Sequence, residues 1–347
     1  MNKPCSPAEA SVFCGIDVSA ATLAVAVIEP ARPVQQREFA NSSSGHKELI
    51  QWLAKRPARV RVSLEATGIY SLDLALALDA APHLELAVLN PKLVNRFAQT
   101  LVRSQNDAAA ALVLAEYSRR MPFIAWVAPS RQGLELRALA RHIDALVAQQ
   151  TRELNRRHAI EISHAAPREV LTDIKQALMA LARRIAKMRR TAKKLIAADA
   201  ELGERLHLLM ATPGIGEISA IQLLAETVLL GPELTVRQWV AHSGLDPAHH
   251  DSGTSVHKRP HISRAGNRRL RRALFMPALA AARCDPHMRA FYETLQARHK
   301  TKLQALVAVA RKLLHAIYGI FKTRTPYDGN KLFPQMNIAP ELQSASR

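Results

Sequence analysis

Cysteine is scarce in this sequence. Cys5, Cys14 and Cys284 are its only three, they lie far apart, and none belongs to a CxxC pair. That excludes a disulfide framework and a cysteine-based metal knuckle. With 347 residues the chain needs neither, because two domains of ordinary size bury their own cores. The first residues lack the basic start and apolar core of a secretory signal, and no apolar run is read as approaching the length of a membrane span. The expectation is a cytoplasmic protein with no membrane partner. Internal repeats and low-complexity tracts are also missing.

Acid is the other deficit. The chain carries 48 Lys and Arg against 29 Asp and Glu, a formal charge of +19, which points to a polyanionic partner. The excess is uneven. Residues 1–130 hold 13 basic against 11 acidic residues, and residues 131–347 hold 35 against 18. Two windows contain no acid at all, 183–194 and 256–272, each with seven Lys or Arg. A run of like charge is often only a solvated helix face, but two such windows in the same part of the chain favour nucleic acid.

What is present in the first part reads as alternating strands and helices. Val12–Asp17, Leu23–Ile28 and a polar stretch near Arg37–Ala40 read as strands, followed by a helix over Gly45–Lys55. Val60–Glu65 is a strand, Tyr70 to about Ala80 a helix, Leu84–Leu89 a strand, and Pro91–Thr100 and Asp107–Arg120 are helices. The order β-β-β-α-β-α-β-α predicts an antiparallel meander continued by parallel strands through helical crossovers. After Pro129 strand signals vanish. Arg131–Glu161 and Arg168–Ala198 read as two long amphipathic helices in an antiparallel hairpin able to reach a partner subunit. From about Leu202 the chain reads as helical again, ending in Met288–Lys322, with a weakly ordered tail after Pro326.

Two acids stand out by position. Asp17 ends one apolar strand and Glu65 ends another, so each carboxylate emerges where buried backbone meets solvent. Singly, such an acid is an ordinary turn or cap residue. As a pair on neighbouring strands they form a site that like charges resist unless a divalent cation lies between them. A third acid, Asp107, opens a helix, which also suits an ordinary helix N-terminus. Two Mg²⁺ (or Mn²⁺) ions held by Asp17, Glu65 and Asp107 would activate an oxygen nucleophile and neutralise a phosphodiester.

Further on, Asp251-Ser252-Gly253-Thr254-Ser255 reads as a small-residue loop before the basic run, which comprises Lys258, Arg259, Arg264, Arg268, Arg269, Arg271 and Arg272. Ser252 is accessible there and placed to meet a phosphate, although Ser-Gly is a plain turn in most proteins. Thr212-Pro213-Gly214-Ile215-Gly216 resembles the hairpin of a helix-hairpin-helix element, whose glycine N–H groups bind phosphate without regard to sequence. The alternative is a glycine-rich link between core helices. His249, His250, His257 and His261 lack cysteines or regular ligand spacing, and phosphate contact or exposure explains them better than zinc.

Gly-Ile-Asp17-Val-Ser, Leu-Glu65-Ala-Thr-Gly-Ile-Tyr, Asn90-Pro91, Asp107 with Leu114-Ala115-Glu116, Thr-Pro-Gly-Ile-Gly and Asp-Ser252-Gly-Thr-Ser occur together and in this order. As a set they resemble the DEDD-type transposases of the insertion-sequence 110 family, relatives of Piv-type DNA invertases, over about Phe13 to Asp328. The resemblance implies an α/β RuvC/RNase H-like domain (10–128), a helical coiled-coil dimerisation segment (129–200), a mainly α C-terminal transposase domain (201–328) and a flexible tail (329–347). It further implies that Ser252 attacks a phosphodiester and holds a phosphoserine link while strands exchange, with the carboxylates holding Mg²⁺. The implied partners are DNA (element ends and target), a structured noncoding guide RNA from the element, and further copies in a homodimer or homotetramer whose site halves come from different subunits. The implied setting is bacterial and nucleoid-associated.

One departure stands out. The family's fourth carboxylate lies one helical turn after the third, and here that position is Ala110. A metal ligand is therefore missing, and Glu116, two turns further, is a poor substitute. Two other readings follow: a RuvC-like metal-dependent nuclease on branched DNA with water as nucleophile, and a catalytically inactive nucleic-acid-binding relative.

Overall fold

The computed structural model describes residues 12–334 except 57, 67, 69, 102–106, 164–165, 232 and 253–255, and leaves the side chains of 249–260 undescribed. The chain divides between Ala128 and Pro129 into two compact units.

The first unit is a mixed sheet with helices. Its elements are β1 (Val12–Val18), β2 (Thr22–Ile28), β3 (Gln35–Ala40), α1 (Ser43–Ala54), β4 (Val60–Glu65), α2 (Leu72–Asp79), β5 (Leu84–Leu89), α3 (Pro91–Ala98) and α4 (Asp107–Arg120). The strand order is β3-β2-β1-β4-β5. β1 pairs with β2 and β2 with β3 antiparallel, whereas β1 pairs with β4 and β4 with β5 in parallel. The near-continuous apolar run of β1, and the burial of every β4 residue but Glu65, follow from this centre position, because both faces of the middle strands are covered. On one face, Val12, Ile16, Val62 and Leu64 pack with Leu49, Leu53, Leu74 and Leu78 from α1 and α2.

The other face carries α4, and small residues let it approach. Ala111 and Ala115 pack with Ala26 of β2, and Gly15 of β1 lies directly under them. Strand side chains alternate, so Asp17 shares a face with Gly15, and Ser63 and Glu65 share the corresponding face of β4. The Ser118 hydroxyl of α4 donates to the Arg61 carbonyl of β4. Asn90 caps α3 by accepting from the Lys92 N–H, and Pro91 occupies the position where a missing N–H costs nothing.

In the second unit, α5 (Arg131–Ser163) and α6 (Arg168–Ala197) form a long helical pair. Leu146 of α5 packs with Leu181 and Ile185 of α6, with Val147 and Met188 alongside. There follow α7 (Ala200–Met210), α8 (Glu217–Thr227), α9 (Val236–Ser243), β6 (Pro247–Ser252), β7 (Val256–Ile262), α10 (Arg268–Ala273), α11 (Phe275–Cys284), α12 (Pro286–Ala297), α13 (Lys302–Thr323) and α14 (Gly329–Leu332). One core joins the inner half of α5 to α7, α8, α11 and α13 through Leu136, Leu209, Leu224, Ala281 and Leu313.

Four expectations change. Strands do recur after Pro129, because β6 and β7 form an antiparallel hairpin with an irregular register between Ala248 and His250. Its sequence is almost entirely polar and contains Pro260, so it offers no period-2 apolar signal. The helical stretch expected over Met288–Lys322 is divided, since Thr301 caps a new helix through a reciprocal box with Gln304. The tail expected to be loose after Pro326 is docked at least to Phe333. That ring is buried against Phe291, and the Tyr327 hydroxyl donates to Asp285. Finally, α13 is by length and composition long and apolar enough to cross a membrane, contrary to the expectation that no such run exists. Its apolar side chains, including Val309, Leu313 and Ile317, lie in the core.

Candidate active site and nucleic-acid interface

β1 and β4 run parallel with Ile16 opposite Leu64, so Asp17 and Glu65 are the next residues along two adjacent strands. Both are half-buried and both carboxyls titrate above their ordinary range. For Asp17 the main cause is burial, then the charge of Asp107, partly offset by a hydrogen bond from the Val18 N–H. For Glu65 it is burial, then the charge of Asp17. The three acids therefore share one electrostatic neighbourhood, and the α4 approach over Gly15 is what brings Asp107 into it.

Among the described residues, no group of three or more His, Cys, Asp or Glu side chains is gathered closely enough to hold a metal ion by itself. Mg²⁺ does not require such a cage. It keeps several waters and is commonly bound by one or two carboxylates together with substrate phosphate. Half-buried, mutually repelling Asp17 and Glu65, all oxygen donors, suit that chemistry.

The loops that follow these two strands are tied together. The Asn41 amide nitrogen donates to the Ser19 carbonyl at 2.7 Å and to the Tyr70 carbonyl at 3.2 Å, so one side chain bridges the segment after Asp17 and the segment after Glu65. Buried His46 lies 2.8 Å from the Asn41 amide oxygen and fixes its orientation. Sequence reading missed both residues. The only signal was a polar pair, five residues apart, at a strand-to-helix junction.

Ala110 is half-buried on the second turn of α4 and supplies no ligand. Glu116 is engaged with Arg119 and Arg120 at 2.7 Å each. Those pairs engage its carboxylate within α4 itself.

In the second unit, Ser252 is the last residue of β6 rather than part of the small-residue loop expected before the basic run; its side chain lies outside the described residues, as do those of Lys258, Arg259, His249, His250 and His257. His261 is exposed, with Nδ1 2.8 Å from the Ile262 carbonyl. Arg264, Arg268, Arg269 and Arg272 are exposed. Arg271 is not free for phosphate, because its guanidinium donates to the Ser243 carbonyl at 2.6 Å and fastens α10 to the end of α9. Gly214 also has a packing role: its φ of +84° is left-handed, and an added Cβ would meet the α11 backbone at Ala281 N, 2.5 Å away. A Cβ added to Gly216 would meet nothing within 4 Å, and Gly216 is the N-cap residue of α8.

A buried acid that sequence reading also missed supports the basic helix. Glu226 of α8 accepts two hydrogen bonds from Arg141 of α5, at 2.8 and 2.9 Å, and one from the Asn267 amide at 2.7 Å. Asn267 caps α10 by accepting from the Arg269 and Leu270 N–H groups. Burial alone would raise the Glu226 pKa, but these hydrogen bonds and the Arg141 and Arg137 charges outweigh it and hold the carboxyl below its ordinary value. Exposed Arg268, Arg269 and Arg272 thus stand on a helix anchored at both ends.

Comparison with known proteins agrees along the chain. A transposase family model matches residues 14–160, and a model of the transposase IS116/IS110/IS902 family matches residues 206–293. The pilin gene-inverting protein of Moraxella bovis is 28% identical over 321 residues, covering 91% of this chain and 97% of its own length. The IS110 43.6 kDa protein of Streptomyces coelicolor is 37% identical over 122 residues, 35% of this chain and 30% of that protein. A probable family 20 transposase of Pseudomonas aeruginosa is 31% identical over 164 residues, 46% of each chain.

Proposed function

The chain belongs to the IS110 family of DEDD transposases, a DNA-recombining class, and from that premise we propose that it cuts and rejoins DNA with a serine nucleophile and a cation-binding carboxylate set. The observation that carries this reading is the pair Asp17 and Glu65, adjacent on parallel strands and each raised by burial and by a neighbouring acid. Such a pair is costly unless it has a use. In this reading residues 10–128 form an RNase H-like, RuvC-type domain, which the β3-β2-β1-β4-β5 order of the first unit supports. The same reading assigns the α5–α6 pair to a dimerisation segment over 129–200 and residues 201–328 to the transposase domain.

In this reading Asp17, Glu65 and Asp107 hold Mg²⁺, which when bound would neutralise charge developing on the phosphodiester. The Ser252 oxygen forms a bond to phosphorus as its proton leaves. The bond from phosphorus to the 3′ oxygen breaks, that oxygen takes up a proton as a free 3′-hydroxyl, and the 5′ end stays linked to the serine until a second hydroxyl reverses the step. Exposed arginines of α10 hold backbone phosphates, and phosphate contacts carry no sequence information. Target choice is accordingly delegated to base pairing with a structured noncoding RNA. Active protein is a homodimer or homotetramer.

The test compares the chain with its Ala110→Asp and Ser252→Ala variants on element-end DNA with the adjacent noncoding RNA and Mg²⁺, scoring recombinant product and denaturant-stable protein–DNA adducts. Ala110→Asp is expected to form both, and Ser252→Ala neither. Continued cutting by Ser252→Ala without adducts would instead favour a water-using nuclease, and strand exchange by that variant would overturn the serine nucleophile. One observation favours a different reading of this copy: with Ala110 in place of an acid and Glu116 engaged elsewhere, a binding-only relative is consistent. No adducts from any variant, although all bind DNA, would support that.

A further inference from the structure

Helix α6 turns an unbalanced face to solvent. Arg183, Lys187, Arg190 and Lys194 are all exposed, and their spacing of four, three and four residues keeps them within about 60° of one line along the helix. The line is roughly 16 Å long at 1.5 Å per residue. Directly opposite lies the buried seam of Leu178, Leu181, Ile185, Ala192 and Ile196. The four side chains are therefore free of the packing that holds α6.

An ordinary solvated face would look different, and this chain provides the comparison. Arg119 and Arg120 pair with Glu116, Arg131 with Glu135, Arg156 with Glu153, Arg157 with Glu161, and Arg205 with Glu201, each within one helical turn. None of the four α6 cations has an ion-pair partner among the described residues, whereas Lys193, off the line, is paired with Glu217 at 2.6 Å. Like charges at this spacing repel one another and weaken a helix, a cost that a bound polyanion reverses. The flanks carry no acid: Ala180, Ala198 and Thr191 lie on one side and Met179, Ala186 and Ala197 on the other, all exposed. Nothing beside the line keeps an extended anion away from it.

We infer that this face of α6 is a track for the sugar–phosphate backbone of duplex DNA, engaged through Arg183, Lys187, Arg190 and Lys194. The inference rests on the DNA-recombining reading above and assigns that substrate a second contact surface, apart from α10. Duplex is favoured over single strand because α6 contains no aromatic residue on which unstacked bases could lie. DNA is favoured over RNA because only Thr191 among the flanking residues offers a neutral polar group to a 2′-hydroxyl.

The experiment measures binding of the full chain to a random-sequence duplex by fluorescence anisotropy across a salt series. The variant is Arg183→Gln/Lys187→Gln/Arg190→Gln/Lys194→Gln, since glutamine keeps helix propensity and removes charge. A control, Lys47→Gln/Lys55→Gln/Lys92→Gln/Arg96→Gln, removes four exposed cations of the first unit. Each phosphate neutralised contributes about 0.9 to the slope of log affinity against log salt, so the α6 variant should lose roughly 3 to 4 in slope. It should also bind at least tenfold more weakly near physiological salt, while the control changes little. The half variants Arg183→Gln/Lys187→Gln and Arg190→Gln/Lys194→Gln should each lose about half the slope, which keeps the test valid if the quadruple variant folds poorly. Equal losses in variant and control would reduce the track to net charge and overturn it. So would a loss confined to an RNA hairpin or to anionic phospholipid vesicles, with duplex binding unchanged. A wild-type chain that binds no duplex would sink the DNA-recombining reading itself, an outcome distinct from failure of the track.

Discussion

Gly15 and Ala111 meet backbone to backbone: a Cβ on Gly15 would lie 2.1 Å from the Ala111 carbonyl oxygen and 2.3 Å from the Ala115 nitrogen. No side chain can rotate away to relieve that clash, so α4 must lift off β1. Overpacking of this kind costs about 1 to 3 kcal/mol, and more where backbone has to move. Gly15→Ala is therefore expected to destabilise the protein by about 3 kcal/mol in a urea melt and to draw Asp107 away from Asp17. A loss below about 0.5 kcal/mol would mean that α4 is not seated as described.

Glu226 gives a prediction with a sign in pH. Its folded pKa is below the ordinary value of 4.5, so its contribution is fully present above about 4.5 and is lost as pH falls through the folded value. Removing one partner of a fully buried pair costs about 3 to 5 kcal/mol, but the Arg141 side chain is 38% exposed, which reduces the expected loss for Glu226→Gln to about 1 to 2 kcal/mol at pH 7. The wild type should lose that margin over the range below about pH 4.5, and the variant should not. Parallel melting curves of the two proteins across that range would count against the pairing.

What was legible in the sequence was what period and polarity encode. Val60–Glu65 alternates apolar and polar residues and Leu84–Leu89 is mostly apolar, both of which read as strands, and Asp17 and Glu65 are conspicuous because each stands at a strand's end. What was not legible depends on partners distant in sequence. Arg141 and Glu226 are 85 residues apart, and Asn41 and Tyr70 are 29 apart. The β6–β7 hairpin escaped for a different reason: its pairing is made by backbone, which a polar sequence does not advertise.

The same distance effect hid the docked C-terminal segment, which makes it testable. Phe333 is 5% exposed, its ring 5.4 Å from that of Phe291, with the Lys312 ammonium 5.0 Å above it. His287 bonds Asn330 at 3.0 Å alongside. Truncating a buried phenylalanine costs about 3 to 5 kcal/mol, so Phe333→Ala should lower stability by about 3 kcal/mol in chemical denaturation. A change within about 0.5 kcal/mol would return this segment to the loose tail that the sequence suggested.

The carboxylate site predicts a stabilising substitution. Asp17 is held above its ordinary pKa by burial and by Asp107, and its charge in turn raises Glu65, so ionising the site at neutral pH opposes folding. A raised carboxyl has the opposite sign to Glu226: its penalty is present above the folded pKa and is relieved as pH falls below it. Asp17→Asn removes both the buried charge and the repulsion, and should therefore melt higher than the wild type in metal-free buffer at pH 7. Mg²⁺ should reverse the ranking, because a ligand that binds only the folded state at ten times its dissociation constant adds about 1.4 kcal/mol. The wild type should gain that increment on titration with Mg²⁺, read as a rise in melting temperature, while Asp17→Asn gains little. If both proteins respond to Mg²⁺ alike, the cation is binding elsewhere, and the carboxylates of β1 and β4 are not its ligands.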